Sequence, residues 1–263
     1  MRAIDTVTHD SLLSHRVSGS GPTIVFLHGF TQTGRSWDPI TNAFEATYTC
    51  ITVDLPGHGN STNGARSLTD AADDVAAVLR TLDAPATVVG YSMGARVALH
   101  VALTYPERLR RLVLVSGTGG IDDDAERAGR RDSDDALAAR IEKIGTDAFL
   151  AEWLAQPMFR TLPPDAASLA ERRRNSPTGL ADSLRHSGTG TQEPLWDLLD
   201  RIDVPVLVVT GDLDTKFTAL GERLARHLPR ATRVRVADSG HTVHLEAPAT
   251  FIDAVGRWLA ETE

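Results

Sequence analysis

Short runs of apolar, β-branched residues alternate along the chain with segments whose apolar positions recur at helical spacing. The runs cover 23–28, 48–54, 87–91, 111–116, 204–210 and 232–237. Several are apolar without alternation, the pattern of parallel strands buried on both faces. Helical spacing fills most of the gaps, for instance over 69–82 and 95–105. Alternating strands and helices predict an α/β fold with a doubly wound, mostly parallel sheet. The rhythm breaks between about 118 and 201, where no good strand occurs. Helical patterns at 133–143 and 165–174 are punctuated there by "QPMFRTLPPD" and "RNSPTG". The segment reads as a helical cap inserted into one sheet. The expected organisation is a core of 1–117 and 202–263 with a cap of 118–201.

Composition sharpens this picture. A chain of 263 residues, 41% of them hydrophobic, suffices for one large domain with an insertion. No apolar run approaches the roughly 18 residues that span a bilayer. The N-terminal stretch "MRAIDTVTHDSLLSHRVSGSG" has no apolar core of a secretory signal. The single cysteine, Cys50, cannot pair within the chain and reads as a small buried side chain. These features predict a cytoplasmic protein without membrane insertion. A net charge of −8 disfavours nonspecific binding to nucleic acid and to anionic membranes. An anionic substrate then requires cations placed locally in its site. No Cys/His cluster suggests a metal and no glycine loop suits a phosphate, so no cofactor is expected.

The candidate chemistry centres on "VVGYSMGAR". Gly90 and Gly94 flank Ser92 in the spacing G-x-S-x-G, between a strand and a helix. Small neighbours are needed where a serine sits on a strained strand-to-helix turn. A serine hydroxyl needs a base, and the base needs an orienting carboxylate. The chain order serine, acid, histidine places the acid after "VPVLVVT" and the histidine in "DSGHTVHLE". Asp214 is the expected partner and His241 the expected base. Asp212 reads as a turn residue and His244 as structural. An oxyanion hole would combine the N–H of Met93 with that of Phe30 in "FLHGFTQTGRSW". His28 reads as a brace for that loop, and "DLPGHGNS" as scaffold.

"FLHGF", "DLPGHGNS", "GYSMG", "GDLD" and "SGH" together resemble the α/β-hydrolase superfamily. That resemblance covers nearly the whole chain and implies the α/β-hydrolase fold, but it does not choose a reaction. Serine at 92 argues against relatives that use aspartate there, the haloalkane dehalogenases and epoxide hydrolases.

The cap is more informative. It carries Arg127, Arg130, Arg131, Arg172, Arg173 and Arg174, although its acids outnumber its bases. Arg130, Asp134, Leu137 and Ile141 share one helical face. Arg172 follows Leu169 at similar spacing. Arg96 lies one turn beyond Ser92, and Lys216 two residues beyond Asp214. Convergence of these cations would suit a substrate with several carboxylates.

"LHGFTQTGRSW", "GYSMGARVAL", "WLAQPMF", "RRRNSPTGLADSLRHSGTGTQEPLWDLL", "GDLDTKF" and "GHTVHLE" are similar to the 2-succinyl-6-hydroxy-2,4-cyclohexadiene-1-carboxylate synthases of menaquinone biosynthesis. That similarity implies a lyase that eliminates pyruvate from a tricarboxylate, the enolpyruvyl-cyclohexene precursor. It implies a triad of Ser92, Asp214 and His241. It further implies substrate contacts from Arg96, Arg130, Arg172 and Lys216, and from the aromatic residues Tyr91, Trp153 and Phe159. Arg127 competes with Arg130 for its place, and Arg173 with Arg172. A serine hydrolase of an anionic ester or C–C bond shares the same residues. A non-catalytic binding protein on this fold would normally have a broken triad.

Overall fold

The apolar runs become strands of one sheet, all of them central except the last, which forms an edge. The structure, a computed structural model, describes residues 4–6, 13–62 and 64–262. The N-terminal stretch read for a secretory signal therefore lies in part outside the described residues. In chain order the strands are β1 (Ile4–Thr6), β2 (His15–Gly19), β3 (Thr23–Leu27), β4 (Thr49–Val53), β5 (Ala86–Tyr91), β6 (Leu109–Val115), β7 (Val206–Gly211) and β8 (Ala231–Val236). They lie in the order β1-β2-β4-β3-β5-β6-β7-β8. The run from β4 to β8 is parallel, and β1 and β2 close one edge antiparallel. The helices are α1 (Asp38–Phe44), α2 (Leu68–Arg80), α3 (Met93–Thr104), α4 (Asp124–Leu154), α5 (Leu169–Arg172), α6 (Pro177–Ser187), α7 (Thr215–His227), α8 (Val243–Glu246) and α9 (Pro248–Glu261).

Strand periodicity divides the core in two. Val25, Leu27, Val88, Leu112, Leu114, Val206 and Val208 face α2, α3 and α7. Ile24, Phe26, Val89, Val113, Val115, Leu207 and Val209 face α1 and α9. Successive side chains alternate between faces, so continuous apolar runs are what a sheet covered on both sides requires. α2 opens on a reciprocal cap, in which Ser67 and Asp70 satisfy each other's backbone N–H groups.

Between β6 and β7 the chain is helical, with no strand among the described residues. α4 runs 31 residues but is broken at Gly145, whose φ of 77° and ψ of 169° are not helical. Its inner face packs on α6 through Ala138, Ile141, Phe149, Leu180 and Leu184. Leu195, Trp196 and Leu199, just before β7, already belong to the core beneath the sheet. Two local readings change. The helix expected over 165–174 shrinks to the single turn α5, because Ser168 adopts a left-handed φ of 52° ahead of it. β2 has no apolar run, since only its first residue is buried and β1 flanks it at the sheet edge.

Several histidines are buried in this frame as neutral rings. His28 donates from Nδ1 to the Gly29 carbonyl and accepts the Leu55 N–H at Nε2. Burial pushes its pKa down to about 4, and that of the neighbouring His58 to about 3. His244 is stacked on Trp37 at 4.2 Å, with both ring nitrogens buried and unpartnered. Burial holds its pKa well below 6.5. The unfolded chain binds protons at these rings from pH 6.5 downward, whereas the folded chain does not. Their contribution is therefore whole above pH 6.5 and is lost as pH falls toward 4. Each ring steepens the acid loss of stability by about 1.4 kcal/mol per pH unit. His244→Phe fills the same stacked position without polar atoms. Urea unfolding is expected to show it at least as stable as the parent at neutral pH, with a shallower decline below pH 6.5.

Candidate active site

Ser92 lies where β5 hands over to α3, with φ 52° and ψ −105°. A non-glycine residue there costs about 1–3 kcal/mol, so the surroundings must enforce it. They do so by close backbone packing. A Cβ on Gly94 would lie 2.2 Å from the Leu27 carbonyl oxygen, and one on Gly90 would lie 2.3 Å from the Gly94 oxygen. The Ser92 N–H is held by the Val115 carbonyl at 2.9 Å.

Asp214 caps α7 by accepting the Phe217 N–H at Oδ1, 3.1 Å away. This frees Oδ2 to accept from His241 Nδ1 at 2.7 Å. That bond fixes the tautomer in which Nε2 accepts from Ser92 Oγ, at 3.2 Å. The histidine loop is tied on both sides. Glu246 accepts the N–H groups of Gly240 and Thr242 at 2.6 and 2.7 Å, and Ser116 Oγ donates to the His241 carbonyl at 2.8 Å. The Phe217 ring covers the imidazole at 4.3 Å.

The loop after β3 is fixed by the neutral His28 and by Asn175, whose side chain donates to the Thr31 carbonyl at 2.7 Å. Asp54, in the segment read as scaffold, accepts the N–H groups of Gly34 and Asn60. Among the described residues no hydrogen bond engages the N–H of Phe30 or of Met93. The Met93 N–H is one of the orphan donors of the first turn of α3, at the positive end of that helix.

Ser92, His241, Phe30 and Met93 open onto a cavity of about 560 Å³. Arg96, Arg130 and Lys216 also line it, as does Trp153. Arg96 is almost wholly buried, and burial lowers its pKa to about 10, with repulsion from Arg130 adding to the effect. It therefore stays cationic at neutral pH. Its nearest hydrogen-bond acceptor is Gln192 Oε1, at 3.5 Å. Arg127 turns away, donating to the Ile121 carbonyl and to Asp124, so Arg130 holds the inward place.

Three expected substrate contacts do not line the cavity. Tyr91 belongs to the strand face opposite α3, where its ring packs on His244 and its hydroxyl meets Thr242 at 3.0 Å. Arg172 is buried behind the Phe30 loop, donating to the Ala167 carbonyl at 2.7 Å and to Thr31 Oγ1. Phe159 is buried against the site, its ring edge-on to His241 at 6.5 Å and packed on Trp153 at 5.7 Å, while Met158 faces the cavity. Sequence reasoning missed Glu246, Ser116, Gln192 and Phe217. Only Phe217 had a local signal, its cap spacing three residues after Asp214. The others join through long-range contacts.

A family model described as the alpha/beta hydrolase fold matches residues 22–248. The chain belongs to the α/β-hydrolase family. Within that family it is similar to a Salmonella heidelberg (strain SL476) protein named 2-succinyl-6-hydroxy-2,4-cyclohexadiene-1-carboxylate synthase. The two are 32% identical, over 90% of this chain and 94% of that one. A Bacillus subtilis (strain 168) protein, provisionally named as the same synthase, is 36% identical over 96% of this chain and 97% of its own. The solved structure of MenH from S. aureus superposes with a TM-score of 0.90 at 31% identity, covering 94% of this α/β-hydrolase and 98% of that chain.

A fluorophosphonate probe tests the serine–histidine contact without reference to any substrate. It is expected to label Ser92, and His241→Ala should slow labelling by roughly 100-fold or more, as followed by intact-mass spectrometry. Equal labelling of the two proteins would show that His241 does not activate Ser92.

Proposed function

We propose that the protein is a carbon–oxygen lyase of menaquinone biosynthesis. In this reading it converts 2-succinyl-5-enolpyruvyl-6-hydroxy-3-cyclohexene-1-carboxylate to 2-succinyl-6-hydroxy-2,4-cyclohexadiene-1-carboxylate and pyruvate. One observation carries the reading. The hydrogen-bonded chain Asp214–His241–Ser92 opens into a cavity whose wall bears Arg96, Arg130 and Lys216. The proposed substrate has three carboxylates, and guanidinium groups on a cavity wall are suited to holding them in place.

His241, oriented by Asp214, takes the Ser92 proton as the serine oxygen removes a ring proton beside the succinyl ketone. Negative charge moves onto the ketone oxygen, where the N–H groups of Phe30 and Met93 receive it. The charge then returns to the ring, a C=C bond forms and the ring C–O bond breaks. The leaving group departs as the enolate of pyruvate, and a proton from the imidazolium completes the balance. Residues 118–201 act as the cap that carries Arg130 and Trp153 over the site. The reading includes a cytoplasmic location and no resident metal or organic cofactor. No described helix is long and apolar enough to cross a membrane.

The same Ser92–His241 contact would also serve attack on a carbonyl carbon, which keeps a serine hydrolase of an anionic substrate as the second reading. An assay for pyruvate separates the two. The lyase reading expects release well above the spontaneous rate, falling by about 10²–10⁴-fold in Ser92→Ala. It also expects no acyl-enzyme in a quenched turnover. Arg96→Ala should raise KM by roughly 10–100-fold, the loss of one charge-assisted contact. Pyruvate at the background rate, with an acyl adduct on Ser92, would replace the lyase with a hydrolase.

A further inference from the structure

Asp134 is an unexpected residue in a cavity proposed for a polyanion. It lines the cavity beside Arg130, and its side chain is only 5% exposed. A buried carboxylate there repels the ligand and has to be desolvated, so its presence calls for a compensating role. Its contacts show one. Oδ1 accepts from Arg130 Nε at 2.9 Å. The two terminal nitrogens of Arg130 make no hydrogen bond among the described residues. A guanidinium gripped through Nε presents its other edge, the parallel pair of N–H donors that matches a carboxylate in bidentate fashion.

The grip itself is braced. Asp134 Oδ2 is buried without a partner. It lies 2.5 Å from where a Cβ on Gly188 would stand, so the turn after α6 closes directly over the carboxylate. The same turn presses on α4 at Gly190, whose Cβ would lie 2.4 Å from the Arg131 nitrogen, and the Arg131 side chain donates to the Gly190 carbonyl at 3.0 Å. The aspartate therefore has little room to swing away from Arg130. Its charge also offsets the repulsion between Arg130 and the buried Arg96.

We infer that Asp134 is a positioning residue, which holds Arg130 by Nε so that the arginine's free fork takes a carboxylate of the ligand. The inference deepens the proposed function and rests on it for the identity of the natural ligand. Tricarballylate, an unreactive tricarboxylate, supplies a probe that does not depend on turnover, and its binding is measured by calorimetry. Asp134→Ala is expected to weaken binding about tenfold, the worth of one well-placed charged contact, although it removes a negative charge from the cavity. Asp134→Asn keeps an acceptor for Nε and should stay within about threefold of the parent. In Arg130→Ala, adding Asp134→Ala should cost nothing further, because the hold on Nε then has nothing left to position. Asp134→Ser withdraws the acceptor and replaces the alanine variant if that does not fold. Unchanged or tighter binding on loss of the acceptor overturns the inference, as do additive losses in the double variant. So does a parent protein that does not bind tricarballylate. If tricarballylate binds as expected but no pyruvate is released, the lyase reading fails and the role of Asp134 stands.

Discussion

The contact on which the site depends is between backbone atoms. The first turn of α3 lies so close to the end of β3 that nothing larger than glycine fits at 94 beside the Leu27 carbonyl. That approach forces Ser92 into its left-handed turn and sets the head of α3 next to the Phe30 loop. Because β3 and β5 are sheet neighbours, the hydroxyl and the two free N–H groups come from adjacent strand ends. The sheet thus fixes their spacing before any side chain is placed. Strain at Ser92 is held by packing on all sides and by the hydrogen bond to Val115, which is what a rigid core can enforce and a loop cannot.

The same logic explains which features could be read directly from the sequence. The central strands were legible because burial on both faces leaves a continuous apolar run. Ser92, Asp214 and His241 were legible because each follows a strand end and carries its own local pattern. Arg130 was legible from helical spacing on α4. Tyr91, Arg172 and Phe159 were expected to contact the substrate, and none of them lines the cavity, for tertiary reasons. Strand alternation sends Tyr91 to the opposite face, and α5 is too short to carry Arg172 outward. Glu246 and Ser116, which tie the His241 loop, are recognisable only once β6 and α8 have been brought to the same sheet edge. β2 escaped notice because, one strand in from the sheet edge, it is only partly buried and so has no apolar signature.

Charge is organised locally against the overall balance. A chain of net charge −8 keeps an almost fully buried arginine in its cavity with no carboxylate bonded to it. The cost of burying Arg96 is met in part by the distant field of Asp134 and by a long contact to Gln192. The opposite device appears behind the site, where buried imidazoles remain neutral and serve as hydrogen-bonding struts or stacked rings. His28 uses both of its nitrogens for this, and His244 uses neither. Behind the cavity Arg172 is the buried cation, and its field joins burial in keeping the His28 and His244 rings neutral.

The break at Gly145 gives α4 two directions. Arg130 and Asp134 project from the segment before it, and Phe149 and Trp153 from the segment after it. The first segment supplies Arg130 and Asp134 to the cavity and the second supplies Trp153, with a single glycine as the joint. The two segments remain tied to each other, through Ile141 and Phe149 in one apolar cluster and through the Arg140–Glu152 ion pair. One helix thus brings a charged side and an aromatic side to the same cavity, and a substitution in the packing they share moves both at once.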